Sequence, residues 1–395
     1  MRLQASPGLA APAQVALPGG RQTVDVQVRA PGIQRVRATA EGGLTAVSNP
    51  LVVRPGPRVL WADLHGHSNL SDGTGTPADY FVYARDVAAL DVAALTDHDH
   101  LGRRFLDATP ELWQEIRRQV AAFHEPGRFA TLLGYEWTSW IHGHRHVLYF
   151  GDEGPVLSSV DPRYETPRAL WDALRGRPVL TFTHHPAGGP IATDWDIPPD
   201  PELEPVTEIA SVHGSSEAFD TILRLHEPVR GHFVLDALGR GYRLGFVGSG
   251  DGHDGHPGLA HLVGAGTGGL AAILCEEATR ACVYEALRAR RVYATNGRRI
   301  LLDVTLDGSP MGATLPARTA DAPPARLAVA AVADGTFARV EVRRGREFVY
   351  TVPGEGRERI AFSYAVAAAA PGEWVYVRAV QTDGGAAWSS PFFFE

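Results

Sequence analysis

Lysine is absent from this chain of 395 residues, and all 37 Lys+Arg positions are arginine. Coding bias is the ordinary reason for such a skew, yet the chemical consequence holds. Neither Schiff-base catalysis nor a Walker-type phosphate lysine is available. Cysteine is scarce as well. Two thiols, Cys275 and Cys282, cannot build a disulfide framework or a zinc knuckle, and their placement in an expected helix suggests buried apolar roles. No apolar run is long enough to span a bilayer, and the first residues lack the apolar core of a signal peptide, so a cytoplasmic location is expected. Excess positive charge is missing too. A formal net charge of -8 argues against a general nucleic-acid surface, though not against a small anionic substrate held at a metal centre. Hydrophobic content of 44% suffices for a real core, and the length suggests two or three units. Nothing here fixes an oligomeric state.

Histidine is missing from both ends: all 16 lie between His65 and His261. The ends read as β. Thr23 to Val28 alternates with period two, and Leu301–Leu306, Arg326–Val332 and Trp374–Arg378 are strand-like between turn residues, a spacing that suits a small β-sandwich. An ungapped echo links the two ends, with seven identities in fifteen positions between Val36–Pro50 and Val377–Pro391. A shared strand–turn–strand of an immunoglobulin-like sheet accounts for it. The expected division is therefore 1–56, a β segment; 57–299, a catalytic domain; and 300–395, a β-sandwich.

The middle alternates short apolar strands (near Val59, Val92, Ala130, Val179 and Leu244) with helices over Pro77–Ala89, Pro110–Phe123, Pro167–Leu174 and Glu276–Arg290, a pattern of a parallel α/β sheet or barrel. Chemistry belongs at the C-terminal ends of such strands. Five strand ends there run into His65 and His67, into Asp97 to His100, into Glu136, into His184 and His185, and into Asp251 and His253. One histidine so placed would be structural. Five such ends point to metal, and imidazole with carboxylate but no thiolate suits zinc, manganese or iron.

In order, the H-x-H with a following Asp72, the Thr96-Asp97-His98, the Glu136 after an apolar strand, the His185-Pro186 and the Asp251-x-His253 resemble the motifs of the PHP (polymerase and histidinol phosphatase) superfamily over residues 59–256. The phrases Tyr83-Ala84-Arg85-Asp86, Gly134-Tyr135-Glu136-Trp137-Thr138, Arg291-Val292-Tyr293-Ala294-Thr295 and Ala387-Trp388-Ser389-Ser390-Pro391 look like its DUF3604 branch. The resemblance implies a distorted (β/α)7 barrel with two or three divalent metals. By that pattern His65, His67, Glu136 and Asp251 hold one. Glu136 bridges to a second, held with His185 and either His144 or His146. Asp72, His98 and His253 hold a third. His184 is then a substrate or supporting contact.

Further candidates carry a plainer reading beside the functional one. His213 is a proton donor or oxyanion contact, or else a loop histidine. Asp97 is the acceptor for a ligand imidazole, or a solvated aspartate. Arg145 and Arg85 are anion clamps or surface arginines. His124, His226, His232, His256 and His261 read as surface or loop groups, and Gly264–Gly269 as a loop, because it precedes a strand where a dinucleotide fingerprint must follow one. The expected function is a metal-dependent hydrolase, foremost a phosphoesterase for a small phosphorylated molecule. A hydrolase of a carboxyl ester or amide and a non-catalytic metal-containing binding protein are the alternatives.

Overall fold

A computed structural model describes residues 1–20, 22–102, 104–259 and 268–395. His261 and most of the glycine-rich stretch 264–269 lie outside the described residues. The first segment forms seven short strands: β1 (Arg2–Ala5), β2 (Leu9–Ala10), β3 (Gln27–Val28), β4 (Gly32–Gln34), β5 (Val36–Thr39), β6 (Thr45–Val47) and β7 (Leu51–Val53). Of the alternating run from Thr23 to Val28 only the last two residues become strand. They pair with β2 alone, and no second layer covers Val26 or Val28, which stay exposed.

The central part carries β8 (Arg58–Asp63), α1 (Pro77–Asp86), β9 (Val92–Leu95), α2 (Pro110–Phe123), β10 (Ala130–Trp137), β11 (Arg145–Tyr149), α3 (Pro167–Leu174), β12 (Val179–Thr183), β13 (Val206–Ser211), β14 (Gly214–Ser215), α4 (Val234–Gly239), β15 (Gly245–Gly248), β16 (Leu270–Cys275), α5 (Arg280–Arg288) and β17 (Val292–Thr295). Proline opens α1, α2 and α3, where a missing N–H costs nothing. Thr76 and Asp79 form a reciprocal capping box on α1. The last helix starts at Arg280 instead of Glu276, because Thr279 caps it by accepting from the Cys282 N–H.

Strands β8, β9, β10, β12, β13 and β15 all run the same way: β8–β9–β10 and β12–β13–β15 pair in parallel, while β11 lies antiparallel between β10 and β12. Strands β9, β10 and β12 are buried throughout, as expected for strands covered on both faces. The sheet curls until β15 returns to β16 and β17. A Cβ added at Gly248 would lie 2.5 Å from the Thr295 carbonyl and 2.7 Å from that of Leu270. Among the described residues no ladder joins β15 to either strand, so the architecture is mixed α/β with a large central sheet, and a seven-stranded closure is not seen as such.

That sheet continues through β17 into the C-terminal part, made of β18 (Leu301–Leu306), β19 (Ser309–Pro310), β20 (Thr314–Leu315), β21 (Ala325–Val332), β22 (Phe337–Arg344), β23 (Glu347–Pro353), β24 (Arg359–Val366), β25 (Trp374–Gln381), β26 (Ala386–Ser389) and β27 (Phe392–Phe394). The junction is β17 with β26 (Tyr293↔Ser389, Ala294↔Trp388), so one apolar core runs from Trp61 and Tyr293 to Val340 and Val377. The internal echo is one hairpin used twice. Arg37↔Val47, Ala38↔Ala46 and Thr39↔Thr45 recur position for position as Arg378↔Trp388, Ala379↔Ala387 and Val380↔Ala386.

Cysteine departs from expectation. Cys275 ends β16 and Cys282 lies in α5, and the two are paired as a disulfide that ties strand to helix. Spacing alone hid this, because the turn between strand and helix brings the two together. Disulfides persist in oxidising compartments, so the bond weighs against the cytoplasmic location expected from the sequence. Among the described residues no helix is long and apolar enough to cross a membrane.

Candidate metal centre

Because six strands run the same way, their C-terminal ends meet on one side of the sheet, and the histidines follow them. Beyond β8 the backbone stays locked: Asp251 N–H donates to the His65 carbonyl and His67 N–H to that of Gly252, both at 2.9 Å. The residue between the two rings has to be glycine. A Cβ on Gly66 would sit 2.6 Å from the Tyr80 hydroxyl, which donates to the Ala94 carbonyl. A one-residue parallel bridge sets His98 beside Glu136.

Four groups of side chains could each hold a metal ion, with ligand atoms within 4.8 Å of one another: His65, His146, His184 and Glu208; His65, His67 and Glu136; His67, Asp72, His98 and His253; and His184, His185 and His213. Two carboxylates link them. Glu136 Oε2 lies 3.3 Å from His65 Nε2, 3.4 Å from His67 Nε2 and 3.3 Å from His98 Nδ1, and its Oε1 lies 2.7 Å from His144 Nδ1. Asp251 Oδ1 lies 3.3 Å from His65 Nε2 and 3.2 Å from His67 Nε2. Its Oδ2 reaches His184 Nε2 at 3.3 Å and His213 Nε2 at 2.9 Å.

The donors fit a cation. Both ring nitrogens of His146, Nε2 of His144 and Nδ1 of His185 are buried without a hydrogen-bond partner. Such groups cost roughly 1–3 kcal/mol each when left unpaired. His185 and Asp251 also hold left-handed backbone (φ 33° and 54°), a strain that clusters at functional sites.

The electrostatics divide the cluster. Burial drives His67 down to about 3, helped by repulsion from His253 and His98. Burial also pushes His146 and His185 well below the ordinary range, with His65 and His184 adding to it respectively. For Glu136 burial acts the other way, but His98 and His144 outweigh it and hold the carboxyl well below its usual range. His65 and His184 do the same for Asp251. At His253 burial is outweighed by Asp72 and Asp251, which raise it to about 9. Asp63, the buried last residue of β8, is raised to about 6 by burial, although it accepts from the Gly250, Gly258 and His65 N–H groups.

Every histidine and carboxylate expected as a ligand is in this cluster: His65, His67, Asp72, His98, Glu136, His144, His146, His185, Asp251 and His253. His144 and His146 are both present, and so are His184 and His185. Glu208 was not anticipated as a ligand. It sits within β13, fully buried, 2.9 Å from His184 Nδ1, with Ser249 Oγ donating to its other oxygen. The sequence offers little signal for it, since β13 also carries Thr207 and Ser211.

Arg145 is no anion clamp. It is wholly buried, its Nε donates to Glu204 at 3.0 Å, and it points away from the metal groups because it alternates with His144 and His146 on β11. Arg85 is likewise occupied, by Asp86 and Glu125. Asp97 does not receive a ligand imidazole. Its carboxylate accepts from the Ser68 N–H and hydroxyl (2.8 and 2.7 Å) and from the Ser71 hydroxyl (2.6 Å), fixing the loop between His67 and Asp72. His213 stands partly exposed against Asp251. His124, His232 and His256 are in none of the metal groups, whereas His226 donates its N–H to the His213 carbonyl at 2.8 Å, with ring centroids 6.4 Å apart.

The chain is 26% identical over 368 residues to an uncharacterized protein of Chlamydia pneumoniae (86% of this chain, 58% of the relative), and 26% identical over 397 positions to one of Chlamydia trachomatis serovar D (92% and 62%). It thus spans about three fifths of the length of these relatives. Among solved structures it is similar to a two-domain protein of Bacteroides vulgatus described as containing a predicted PHP-like metal-dependent phosphoesterase, with a TM-score of 0.45 and 14% identity over 85% of this chain and 96% of the other. The family called "Protein of unknown function (DUF3604)" matches residues 83–227 and 259–305. His65, His67, Asp72, Asp251 and His253 fall outside the matched stretches, so their place in the centre rests on the structure. Over those two stretches the chain is similar to the DUF3604 family.

Proposed function

We propose that this chain is a metal-dependent hydrolase acting on a small phosphorylated molecule. One observation carries the reading: Glu136 and Asp251 each touch imidazoles from several strand ends, so each can be shared between adjacent metal positions. His65, His67, Glu136 and Asp251 would hold one ion; Asp251 would be shared with His146, His184 and Glu208 at a second, and Glu136 with Asp72, His98 and His253 at a third. When bound, such ions supply positive charge for the developing oxyanion and make a bound water acidic enough to attack near neutral pH. His213, beside Asp251 and partly open to solvent, is placed to give a proton to the leaving oxygen. Asp63 and Asp97 keep the ligand loops in register. The motif resemblance to the PHP superfamily favours phosphoesters over carbon esters and carries with it a distorted (β/α)7 barrel, while strand spacing and the repeated hairpin support a C-terminal immunoglobulin-like sandwich.

A carboxyl ester or amide hydrolase is the second reading, since the same charge arrangement polarises a carbonyl. The deciding experiment loads the protein with zinc, manganese or iron(II), measures bound metal, and screens phosphomonoesters, phosphodiesters and carboxyl esters. Turnover of phosphoesters is expected. Turnover of carbon esters alone, or none with a fully loaded centre, overturns the proposal.

A further inference from the structure

We infer that the substrate carries a planar apolar group beside its phosphoester, an aromatic ring or heterocycle, and that Trp140 receives it. The inference rests on the phosphoesterase reading above. Three loops, one of them leading from Glu136 to His144, are fastened to one buried carboxylate. Asp99 Oδ1 accepts from the Thr138 N–H at 3.1 Å and lies 2.8 Å from His100 Nδ1, and its Oδ2 accepts from the Ser159 N–H at 2.6 Å. Ser158 Oγ donates to Asp107 at 2.7 Å and ties two of the loops a second time.

Each of these anchored loops exposes large apolar side chains: Phe105 is 44% exposed, Trp140 49%, Ile141 75% and Val160 57%. Single exposed apolar residues need no explanation, but Trp140 and Ile141 follow each other on the loop that leads from Glu136 to His144. Trp140 is the one next to the chemistry. Its ring stands perpendicular to that of His144, centroids 5.4 Å apart, and His144 touches Glu136 at 2.7 Å. A perpendicular contact leaves at least one indole face uncovered by His144.

The loop that carries the indole is also held in place before any ligand arrives. It is fixed at the start by Asp99 and in the middle by Ser139 Oγ, which accepts from the His142 N–H. At its end Arg145, locked to Glu204, donates to the carbonyls of His142 and Gly143 at 3.0 and 3.3 Å. A loop pinned in this way loses little freedom when a ring stacks on it. The buried arginine that cannot clamp the substrate's anion instead positions the tryptophan that would bind its apolar part.

The test uses the metal-loaded full chain and two non-hydrolysable probes, phenylphosphonate and methylphosphonate, with binding measured by calorimetry. The phenyl probe is expected to bind about 5- to 100-fold more tightly than the methyl probe. Trp140→Ala should remove most of that preference while methylphosphonate binding stays within about twofold, and Trp140→Phe should keep part of it. Equal binding of the two probes by the unmodified protein overturns the inference and leaves the phosphoesterase reading standing. So does an equal loss of both in Trp140→Ala at full metal content. Failure of the loaded protein to bind either phosphonate overturns both.

Discussion

Beneath the C-terminal sheet, Glu217 accepts from Arg343 at 3.2 Å, from Arg378 at 2.8 Å and from the Tyr376 hydroxyl, and Arg378 turns its other nitrogens to Glu341. At the strand ends a cluster just as buried leaves His146 without a partner on either nitrogen and His144 and His185 each with one bare nitrogen. In the first cluster every charge meets an opposite charge of the chain, although Arg343 Nε is left without a hydrogen bond; in the second, imidazoles converge on one another. The contrast teaches how to separate structural burial from a ligand site. Charges paired within the chain hold the fold together, whereas inward-facing donors without partners mark where something else binds.

The contrast can be broken at its strongest point by Glu136→Ala. Groups that merely orient metal ligands are worth roughly 10–100-fold, so loss of a shared carboxylate should lower turnover by more than about 100-fold and strip metal, as read by mass spectrometry. Full metal content with unchanged turnover would remove Glu136 from the centre. On the other side, Glu217→Ala should cost about 3–5 kcal/mol of stability in chemical denaturation, because Arg343 loses its buried counter-charge and Arg378 loses one of two. A cost under about 1 kcal/mol would mean that water reaches the pair.

Smaller effects sharpen the same point. His146→Leu should leave the metal-free protein as stable as before or raise it by about 1 kcal/mol, since an unpaired buried ring is removed. The gain in Tm on adding metal should shrink. Strong destabilisation of the metal-free form would make His146 a packing residue. Smallest is a proton count. His253 is raised to about 9, so below that pH it is protonated in the metal-free protein and must lose the proton to bind metal. Metal binding at pH 7 should release at least one proton and tighten as pH rises toward 9, measurable by calorimetry in buffers of different ionisation enthalpy. Binding without proton release would detach His253 from the third position.

Much of the centre was legible because its residues follow apolar strands at short, motif-like spacing: His65 and His67, His98, Glu136, His185, Asp251. Glu208 was not, because it sits within a strand and only its burial among imidazoles marks it. Arg145 was misread although strand alternation alone sends it away from His144 and His146. The echo between Val36–Pro50 and Val377–Pro391 foretold the hairpin register at both ends. Burial could not be foretold. Ala379 and Ala387 are covered, whereas Ala38 is half-buried and Ala46 exposed, because β26 has β17 beside it and no strand among the described residues pairs with the outer edge of β6.

By itself the sequence determined the local elements: where strands end, which helices open on proline, which residue types stand at the strand ends, and hence that a metal belongs there. Only the tertiary structure decided which nitrogens lack partners, that Cys275 meets Cys282, that Arg145 is spent on Glu204, and that Glu136 and Asp251 can be shared between sites. The physical reason is range. Periodicity and capping act between neighbours along the chain, whereas partnership of a buried polar atom is set by whatever the fold brings to within hydrogen-bond reach from far away in sequence.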